Sequence, residues 1–496
     1  MQDAIAKIKR QLGKEYPLVI GDQTHKTDNF FASINPARKS EVIGKFSKAA
    51  KEEAENAVEA AAEAFKSWSM VPAFERAELL VRTAALLRER KHEMSAWMVH
   101  EVGKTWAEAD GDTAEAIDFC EFYAREMLHY SVPQPLVKIP GEDNRLEYIP
   151  LGVCVVIPPW NFPLAIMAGM TMAAVVTGNT VVLKPSSDSP TIAYTFFELL
   201  QEAGLPSGVV NFITGSGAEV GDTIVDHSKT RLIAFTGSKE IGLRVNERAA
   251  KINNGQVWIK RVIAEMGGKD AIVVDVDADL ESAAAGIVQS AFGFQGQKCS
   301  ACSRAIIHKE VYDHLVEQIV SKTTRIKLGD PTDHSTGMSA VINANAFKTI
   351  NSYIEKAIAD GGRIVTGGGS EMEEGFFIEP TVITNVKPHD TIEQEEIFGP
   401  VLAVIKAESF DNALEIANDT EFGLTGALYT NDPEKIEHAR KEFHVGNLYF
   451  NRKCTGALVG AHPFGGFNMS GTNSKAGGRD YLGLFLQAKL SSEKII

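Results

Sequence analysis

Cys299 lies in FGFQGQKCSACSR, directly after a helical run and inside a loop rich in Gly, Gln and Ser, with Lys298 beside it. A thiol in such a loop is accessible and, next to a cation, partly ionised, the form that attacks a carbonyl carbon. Glu265 closes an extended run and opens Glu265-Met266-Gly267-Gly268-Lys269, where the two glycines permit a tight bend that turns the carboxylate toward a cleft. Asn161 sits in Pro158-Pro159-Trp160-Asn161-Phe162-Pro163, at the end of the first strand of a parallel series, where open sheets place their ligands. Its amide can donate to a developing oxyanion together with the backbone N–H of Cys299. A nucleophilic thiolate, a carboxylate base and an oxyanion donor are the groups needed to add to an aldehyde and then hydrolyse a thioester.

Each residue alone has a plainer reading: an inert buried thiol, a solvated carboxylate, an Asn in a turn. Cys299-Ser-Ala-Cys302 also spells C-x-x-C, the spacing of a redox pair or of half a zinc site. No second ligand pair stands at zinc spacing, and a thioredoxin-type pair follows the first strand of a small domain, so both readings are set aside.

Cofactor signals cluster downstream of Asn161. The strand TVVLK ends in Lys184-Pro185-Ser186-Ser187, and ITGSGAEVGD supplies Gly215, Gly217 and Gly221 as G-x-G-x-x-x-G, one residue off the dinucleotide fingerprint. Phe235-Thr236-Gly237-Ser238 follows another strand and opens a helix, so a hydroxyl and free helix N–H groups point where a pyrophosphate binds.

The elements that position these residues are legible as alternation. From Gly152 onward VCVVI, a helix over about 164–177, TVVLK, a helix around 193–203, VVNFIT, a helix after Ala218, LIAFT and a helix after Lys239 predict a parallel sheet with helices on both faces. A second α/β series begins after Gly268: AIVVD, a helix from Leu280 to about Phe294, RAIIH, a helix from Val311 to Lys322, and GRIVTGG. Apolar residues at three- and four-residue spacing make residues 50–125 long amphipathic helices that cover the first sheet. Between them, PQPLVKIPGEDNRLEYIPLG reads as a β-hairpin around a Gly-Glu-Asp-Asn turn, projecting to pair with the apolar C-terminal strand of a neighbouring subunit.

Composition narrows the partners. The chain has 496 residues, 44% hydrophobic and 23% charged, with a formal net charge of −15. An acidic surface without a Lys/Arg cluster argues against nucleic acid. Residues 148–183 contain no charged side chain and could be mistaken for a membrane span, but Pro158, Pro159, Pro163 and Gly178-Asn179 divide them into strand, loop, helix, turn and strand, so no membrane is expected. The first sixteen residues suit a short amphipathic surface helix rather than a secretory signal, and the odd count of five cysteines suits reduced thiols in the cytoplasm.

Taken in order, PWNFP, KPSS, FTGSKEIG, EMGGKD, GQKCSACSR, EEIFGPV and PFGGFNMSG resemble the aldehyde dehydrogenase superfamily over essentially the whole chain. Within it, FGFQGQKCSACSR and NRKCTGALVGAHPFGGFNMSGTNSKAGGRDYL are similar to the branch that oxidises glutamate 5-semialdehyde, the open form of 1-pyrroline-5-carboxylate. The resemblance implies an α/β fold with a Rossmann-like cofactor domain (1–132 and 149–266), a second α/β catalytic domain (267–479) and an oligomerisation hairpin and strand (133–148 and 480–496). It implies Cys299 as nucleophile, Glu265 as general base and Asn161 as oxyanion donor. Pro159, Trp160, Lys184, Ser187, Gly217, Gly221, Phe235, Thr236, Gly237, Ser238, Glu396 and Phe398 are expected around the cofactor. Ser187 stands where many members carry Glu, which removes repulsion toward a 2′-phosphate; NAD is expected, with NADP admitted. Ser300 and the backbone of Gly456 and Ala457 would anchor the substrate carboxylate, with Phe162 and Phe464 flanking its aliphatic part. Cys454 stands where Ser or another small residue is expected, as a silent replacement or a second oxidisable site. The implied partners are a small-molecule substrate and further copies of the chain, as a dimer or higher homo-oligomer, and the chain is expected to act without a flavin domain. The competing substrate is another semialdehyde, such as succinate semialdehyde.

Overall fold

The computed structural model describes residues 1–495. Five parallel strands form the first sheet in the spatial order Arg261–Glu265, Thr230–Thr236, Val153–Ile157, Thr180–Leu183, Val210–Phe212. Their side chains are buried on both faces, which is why the runs read as continuously apolar rather than alternating. The order turns back between Val153–Ile157 and Thr230–Thr236, so the crevice above Ile157 and Thr236 is the switch point at which such sheets bind dinucleotides. Two short antiparallel strands, Leu18–Ile20 and Gln23–His25, complete the seven.

A second seven-stranded sheet runs Arg363–Thr366, Thr381–Val386, Val401–Ala407, Cys302–His308, Asp270–Val274, Thr425–Tyr429, Asn447–Phe450, parallel except for the first. The two sheets are joined where Glu265 ends one strand and Asp270 begins another. The chain thus leaves the C-terminal edge of the first sheet and enters the second at its N-terminal edge, where Asp270 is in register with Cys302. Glu265, Glu396 and the loop carrying Cys299 are gathered along this seam.

Helices Lys51–Trp68, Ala73–Glu89, Lys91–Val102 and Trp106–Ser131 occupy the region expected to be helical, and the short helix Gln2–Lys9 caps the N-terminus. The uncharged stretch resolves into Val153–Ile157, the buried helix Ala165–Val176 and Thr180–Leu183. Among the described residues no helix is long and apolar enough to cross a membrane.

Two differences from the sequence reading have physical causes. The expected hairpin over 133–148 is absent: only Glu142–Pro150 is a strand, and it pairs antiparallel with Leu486–Lys494 of the same chain, from Glu142 opposite Lys494 to Pro150 opposite Leu486. Pro133, Pro135 and Pro140 deprive the preceding run of ladder donors, whereas the C-terminal strand offers a full edge. The three-stranded sheet of Lys14–Tyr16, Arg38–Ser47 and Phe30–Asn35 was not anticipated, because its strands mix exposed and buried positions without a clean period.

Asn179, fully buried in the turn after the central helix, holds several of these pieces together. Its Oδ1 accepts from the N–H groups of Leu151 and Gly152 at 2.8 Å each, and its Nδ2 donates to Thr177 Oγ1 and Phe485 O at 2.9 Å each. Asn179→Ala orphans three buried backbone groups at about 1 kcal/mol or more each, so the thermal unfolding midpoint should drop by several degrees; an unchanged midpoint would contradict this account.

Candidate functional site

Gly267 and Gly268 follow Glu265 for a reason different from the expected bend. Neither has a left-handed backbone; instead each leaves room for another group. A Cβ on Gly267 would stand 2.2 Å from Glu396 Oε2, and one on Gly268 would stand 2.4 Å from the carbonyl oxygen of Cys299. The Cys299 loop therefore lies directly on the strand exit. Glu396 is fixed to the same place, its Oε1 accepting from Gly268 N–H at 2.9 Å.

The approach to Cys299 is strained. After helix Leu280–Phe292 the chain passes through Phe294 (φ 49°), Gln295 (φ 58°) and Gly296 (φ 66°), three successive left-handed residues. A non-glycine residue there costs about 1–2 kcal/mol, and buried polar anchors hold the turn. Gln295 Nε2 donates to Ala340 O at 2.8 Å and Gly103 O at 3.2 Å, while Gln297 Oε1 accepts from Ile342 N–H at 2.9 Å. Asn161 joins this loop: its Nδ2 donates to Gln297 O at 3.0 Å. A carboxamide carries two N–H groups and one of them ties Asn161 to the loop, while its side chain is not among those lining the cavity that Cys299 and Glu265 share.

The resting charge state of Cys299 differs from the sequence reading. Burial pushes its thiol pKa up, and the neighbouring carboxylates of Asp270, Glu396 and Glu265 push it further. Lys298 does not counter them, because its ammonium is spent on Glu108 at 2.8 Å. Sequence adjacency placed a cation beside the thiol; the fold turned it away. Glu265 is nearly buried, and burial raises its pKa to about 7 against the opposing hydrogen bonds from Ser474 and Gly466.

Cys299 and Glu265 face a common cavity of about 110 Å³, whose lining also includes Phe162, Ser300, Gly456, Ala457, Phe464 and Thr236. Sequence reasoning missed other walls: Glu115, Phe119 and Tyr123 from helix Trp106–Ser131, with Ile166, Met170 and Tyr481. Their signal was present, since 115, 119 and 123 recur every four residues and a carboxylate on an otherwise aromatic stripe is anomalous. Burial, reinforced by Asp112, raises the Glu115 pKa to about 8. Lys104 and Asp112 form a fully buried pair at 2.6 Å, with the ammonium 4.3 Å from the Phe162 ring centre. Also in the lining, Gly456 (φ 79°) carries bare backbone, with the Lys453 side chain close to where a Cβ would lie. The cavity thus combines bare backbone suited to an anion, a carboxylate suited to a cation, aromatic walls and a thiol.

The remaining four thiols are buried. Cys302 and Cys454 lie beside one another in the second sheet's core, and Cys454 Sγ lies 3.4 Å from Ser300 O, bracing the residue after Cys299. All five cysteines are free, and among the described residues no His/Cys/Asp/Glu group is arranged to hold a metal.

The expected cofactor residues fall into two groups. Lys184, Ser187, Gly217, Gly221, Gly237 and Ser238 follow the C-terminal ends of the first sheet's strands. Lys184 is buried with no carboxylate among the influences on it, and desolvation lowers its pKa to about 8. Such a cation suits an electron-rich ligand. A Cβ on Gly217 would meet nothing within 4 Å, and Ser187 and Ser238 are exposed. Ser238 caps helix Lys239–Ala250, accepting from Ile241 N–H at 3.4 Å. Beside the Cys299 loop, Trp160 and Phe398 meet edge to face at 5.6 Å near Glu396, whose pKa burial raises to about 7. These two groups fit the adenosine and nicotinamide ends of a dinucleotide. Of the other expected residues, Phe235 packs in the core beneath Gly237, whose Cβ would stand 2.6 Å from the ring, and Pro159 is buried.

A raised thiol pKa makes a kinetic statement. Alkylation of Cys299 by iodoacetamide in the free protein should keep accelerating from pH 7 through pH 9, since the thiolate fraction is still growing there. A plateau below pH 8 would show a thiol already ionised.

The aldehyde dehydrogenase family model matches residues 23–490. A 1-pyrroline-5-carboxylate dehydrogenase of Geobacillus sp. (strain WCH70) is 61% identical over 492 residues, 99% of this chain and 95% of that protein. The crystal structure of the 1-pyrroline-5-carboxylate dehydrogenase from Thermus with bound NAD superposes with a TM-score of 0.97 at 50% identity, over 99% of this chain and 95% of that one. Betaine aldehyde dehydrogenase from Staphylococcus aureus in complex with NAD+ gives 0.93 at 30% identity, covering 100% and 97%. From motif order, paired parallel sheets and the thiol–carboxylate seam between them, together with these matches, the chain belongs to the aldehyde dehydrogenase family.

Proposed function

We propose that this protein is an NAD-dependent dehydrogenase that oxidises L-glutamate 5-semialdehyde, in equilibrium with 1-pyrroline-5-carboxylate, to L-glutamate in proline catabolism. One observation carries the reading: a single cavity joins a thiol, a carboxylate base, bare backbone with a hydroxyl at one end and a second carboxylate in its wall. A substrate bearing an aldehyde, a carboxylate and an ammonium on a short chain satisfies all four. Ser300 with the Gly456 and Ala457 backbone receives the α-carboxylate, where a bare peptide lets an anion approach closely. Glu115 faces the α-ammonium, and Phe162 and Phe464 enclose the methylenes.

Cys299 Sγ bonds to the aldehyde carbon as the thiol proton passes to solvent and the carbonyl π pair moves onto oxygen, and the resulting oxyanion is held by an Asn161 N–H and the Cys299 backbone N–H. NAD, when bound, accepts the hydride from that carbon. Trp160, Glu396 and Phe398 hold the nicotinamide end, and Lys184, Ser187 and Ser238 the adenosine and phosphate end. Glu265 then takes a proton from water as the water adds to the Cys299 thioester, releasing carboxylate and restoring the thiol. The raised thiol pKa fits a nucleophile that ionises only when the site is assembled. Reduced thiols throughout fit a reducing compartment such as the cytoplasm.

The ribbon of Glu142–Pro150 and Leu486–Lys494 supports homo-oligomerisation, because a lone two-stranded ribbon is marginal in water and this one exposes Leu490. Light scattering with size exclusion should therefore give a dimer or larger assembly, and a monomer at micromolar concentration would refute the reading.

Substrate assignment is tested by initial rates of NADH formation with pyrroline-5-carboxylate, succinate semialdehyde and a simple aliphatic aldehyde. The expected result is strong preference for the first, abolished in Cys299→Ala. Glu115→Gln should lower kcat/KM for pyrroline-5-carboxylate about 10-fold or more, as loss of a charge-assisted contact predicts, while leaving succinate semialdehyde nearly unchanged. Preference for another aldehyde in the wild type would overturn the substrate but not the chemistry; full activity in Cys299→Ala would overturn the nucleophile.

A further inference from the structure

Residues 470–474 form an edge piece on the strand that carries Glu265. Thr472 N–H donates to Ala264 O at 2.8 Å, Met266 N–H donates to Ser470 O at 2.8 Å, and Ala264 N–H donates to Thr472 Oγ1 at 3.1 Å. Gly471 bridges to Glu265 and tolerates no side chain, since a Cβ there would stand 2.4 Å from Ala264 O and 3.0 Å from Glu265 Oε2. Arg261–Glu265 is the outermost strand of its sheet, so this loop takes the position of an absent neighbour. Ser474 is thereby set against the carboxylate: Glu265 Oε1 accepts from Ser474 Oγ at 2.5 Å and from Ser474 N–H at 3.0 Å, while Oε2 accepts from Gly466 N–H at 3.3 Å. Gly465 permits the approach, because a Cβ on it would stand 3.0 Å from Ser474 N. Ser474 is itself 5% exposed, and no step of the reaction above uses it.

We propose that Ser474 is a positioning residue of the hydrolytic half-reaction, its hydroxyl and N–H holding Glu265 as an ionised, oriented base at the cavity wall; this rests on the assignment of Glu265 as base. A carboxylate buried beside aromatic walls is otherwise driven to its neutral form, which accepts no proton from water. Hydrogen bonds donated to the anion oppose that drive, and two of the three come from Ser474. The titratable groups near Glu265 are Lys475 from the same loop, Cys299 and Tyr481, and the shared cavity lining adds Glu115 and Tyr123 from helix Trp106–Ser131. Lys475 is committed elsewhere, donating to Gly446 O at 2.6 Å and Gly465 O at 3.0 Å.

The test is the pH profile of kcat for Ser474→Ala and Ser474→Thr, beside Glu265→Gln and wild type, with pre-steady-state NADH bursts. Wild type should rise along an acid limb near pH 7. Ser474→Ala should move that limb upward by about one unit, which is about 5-fold less kcat at pH 7, approaching about 10-fold at lower pH, with recovery toward pH 9, and KM for the aldehyde should stay within about 2-fold. The threonine variant should restore the limb. An unmoved limb in Ser474→Ala, or a loss equal at every pH that threonine does not repair, overturns the role of Ser474. Glu265→Gln should keep the burst and lose turnover. Full turnover in that variant removes the base assignment itself, a failure distinguishable from that of Ser474.

Discussion

Contact without side chains at Gly267 and Gly268 is the constraint on which the site depends. Two sheets meet there edge to edge, and the chain crosses between them in the few residues from Glu265 to Asp270. Bare backbone lets Glu396 and the Cys299 carbonyl occupy the space that two Cβ atoms would fill. A methyl group at Gly267 would push the Glu396 carboxylate from its place, and one at Gly268 would meet the backbone carbonyl of Cys299, which cannot give way as the end of a side chain can. The strained turn through Phe294 and Gln295 is the matching half of the arrangement, fixed by the amides of Gln295 and Gln297. Strain of this kind persists only where the surroundings over-determine it.

Electrostatics in this seam run against easy ionisation. Glu265 and Glu396 have their pKa raised to about 7 and Glu115 to about 8, all chiefly by burial, and the thiol rises with them. Raised carboxyl values mean that the folded chain holds protons that the unfolded chain releases. The contribution of these groups to stability is therefore greatest below about pH 4.5 and declines as pH climbs toward 7 to 8. The protein tolerates that penalty in return for groups whose protonation can change during turnover. Nearby charges with no such duty are neutralised in pairs, Lys104 with Asp112 and Lys298 with Glu108.

The seam also explains why one enzyme carries two ligand geometries. The first sheet offers the C-terminal ends of its strands, with helix N-termini and glycine-rich turns, and the second offers the N-terminal end of the strand beginning at Cys302. The proposed dinucleotide site follows the first edge, and the cavity proposed for the aldehyde is walled by Glu115, Phe119 and Tyr123 of helix Trp106–Ser131. Aromatic pairs, Tyr123 on Tyr481 and Trp160 on Phe398, close the space around each.

How much of this was legible beforehand follows from the range of the interactions. Runs such as VCVVI, TVVLK and AIVVD read as parallel strands because burial on both faces writes itself into consecutive residues. Cys299, Glu265 and Asn161 stood out because each interrupts or ends such a run in a polar or glycine-rich loop. The hairpin reading failed because nothing local says that Glu142–Pro150 pairs with a strand more than three hundred residues later, although the prolines before it argued against the nearer partner. Lys298 was adjacent to the thiol in sequence and paired with Glu108 in space, and Glu115 reached the cavity only because helix Trp106–Ser131 packs across the seam. By itself the sequence determined most of the elements, the family of chemistry and the candidates proposed to perform it, since those depend on side-chain type and short spacing. The tertiary structure alone decided charge states, the walls that select a substrate and the donors that hold the base, because each of these depends on which distant segments come to lie within a few ångströms.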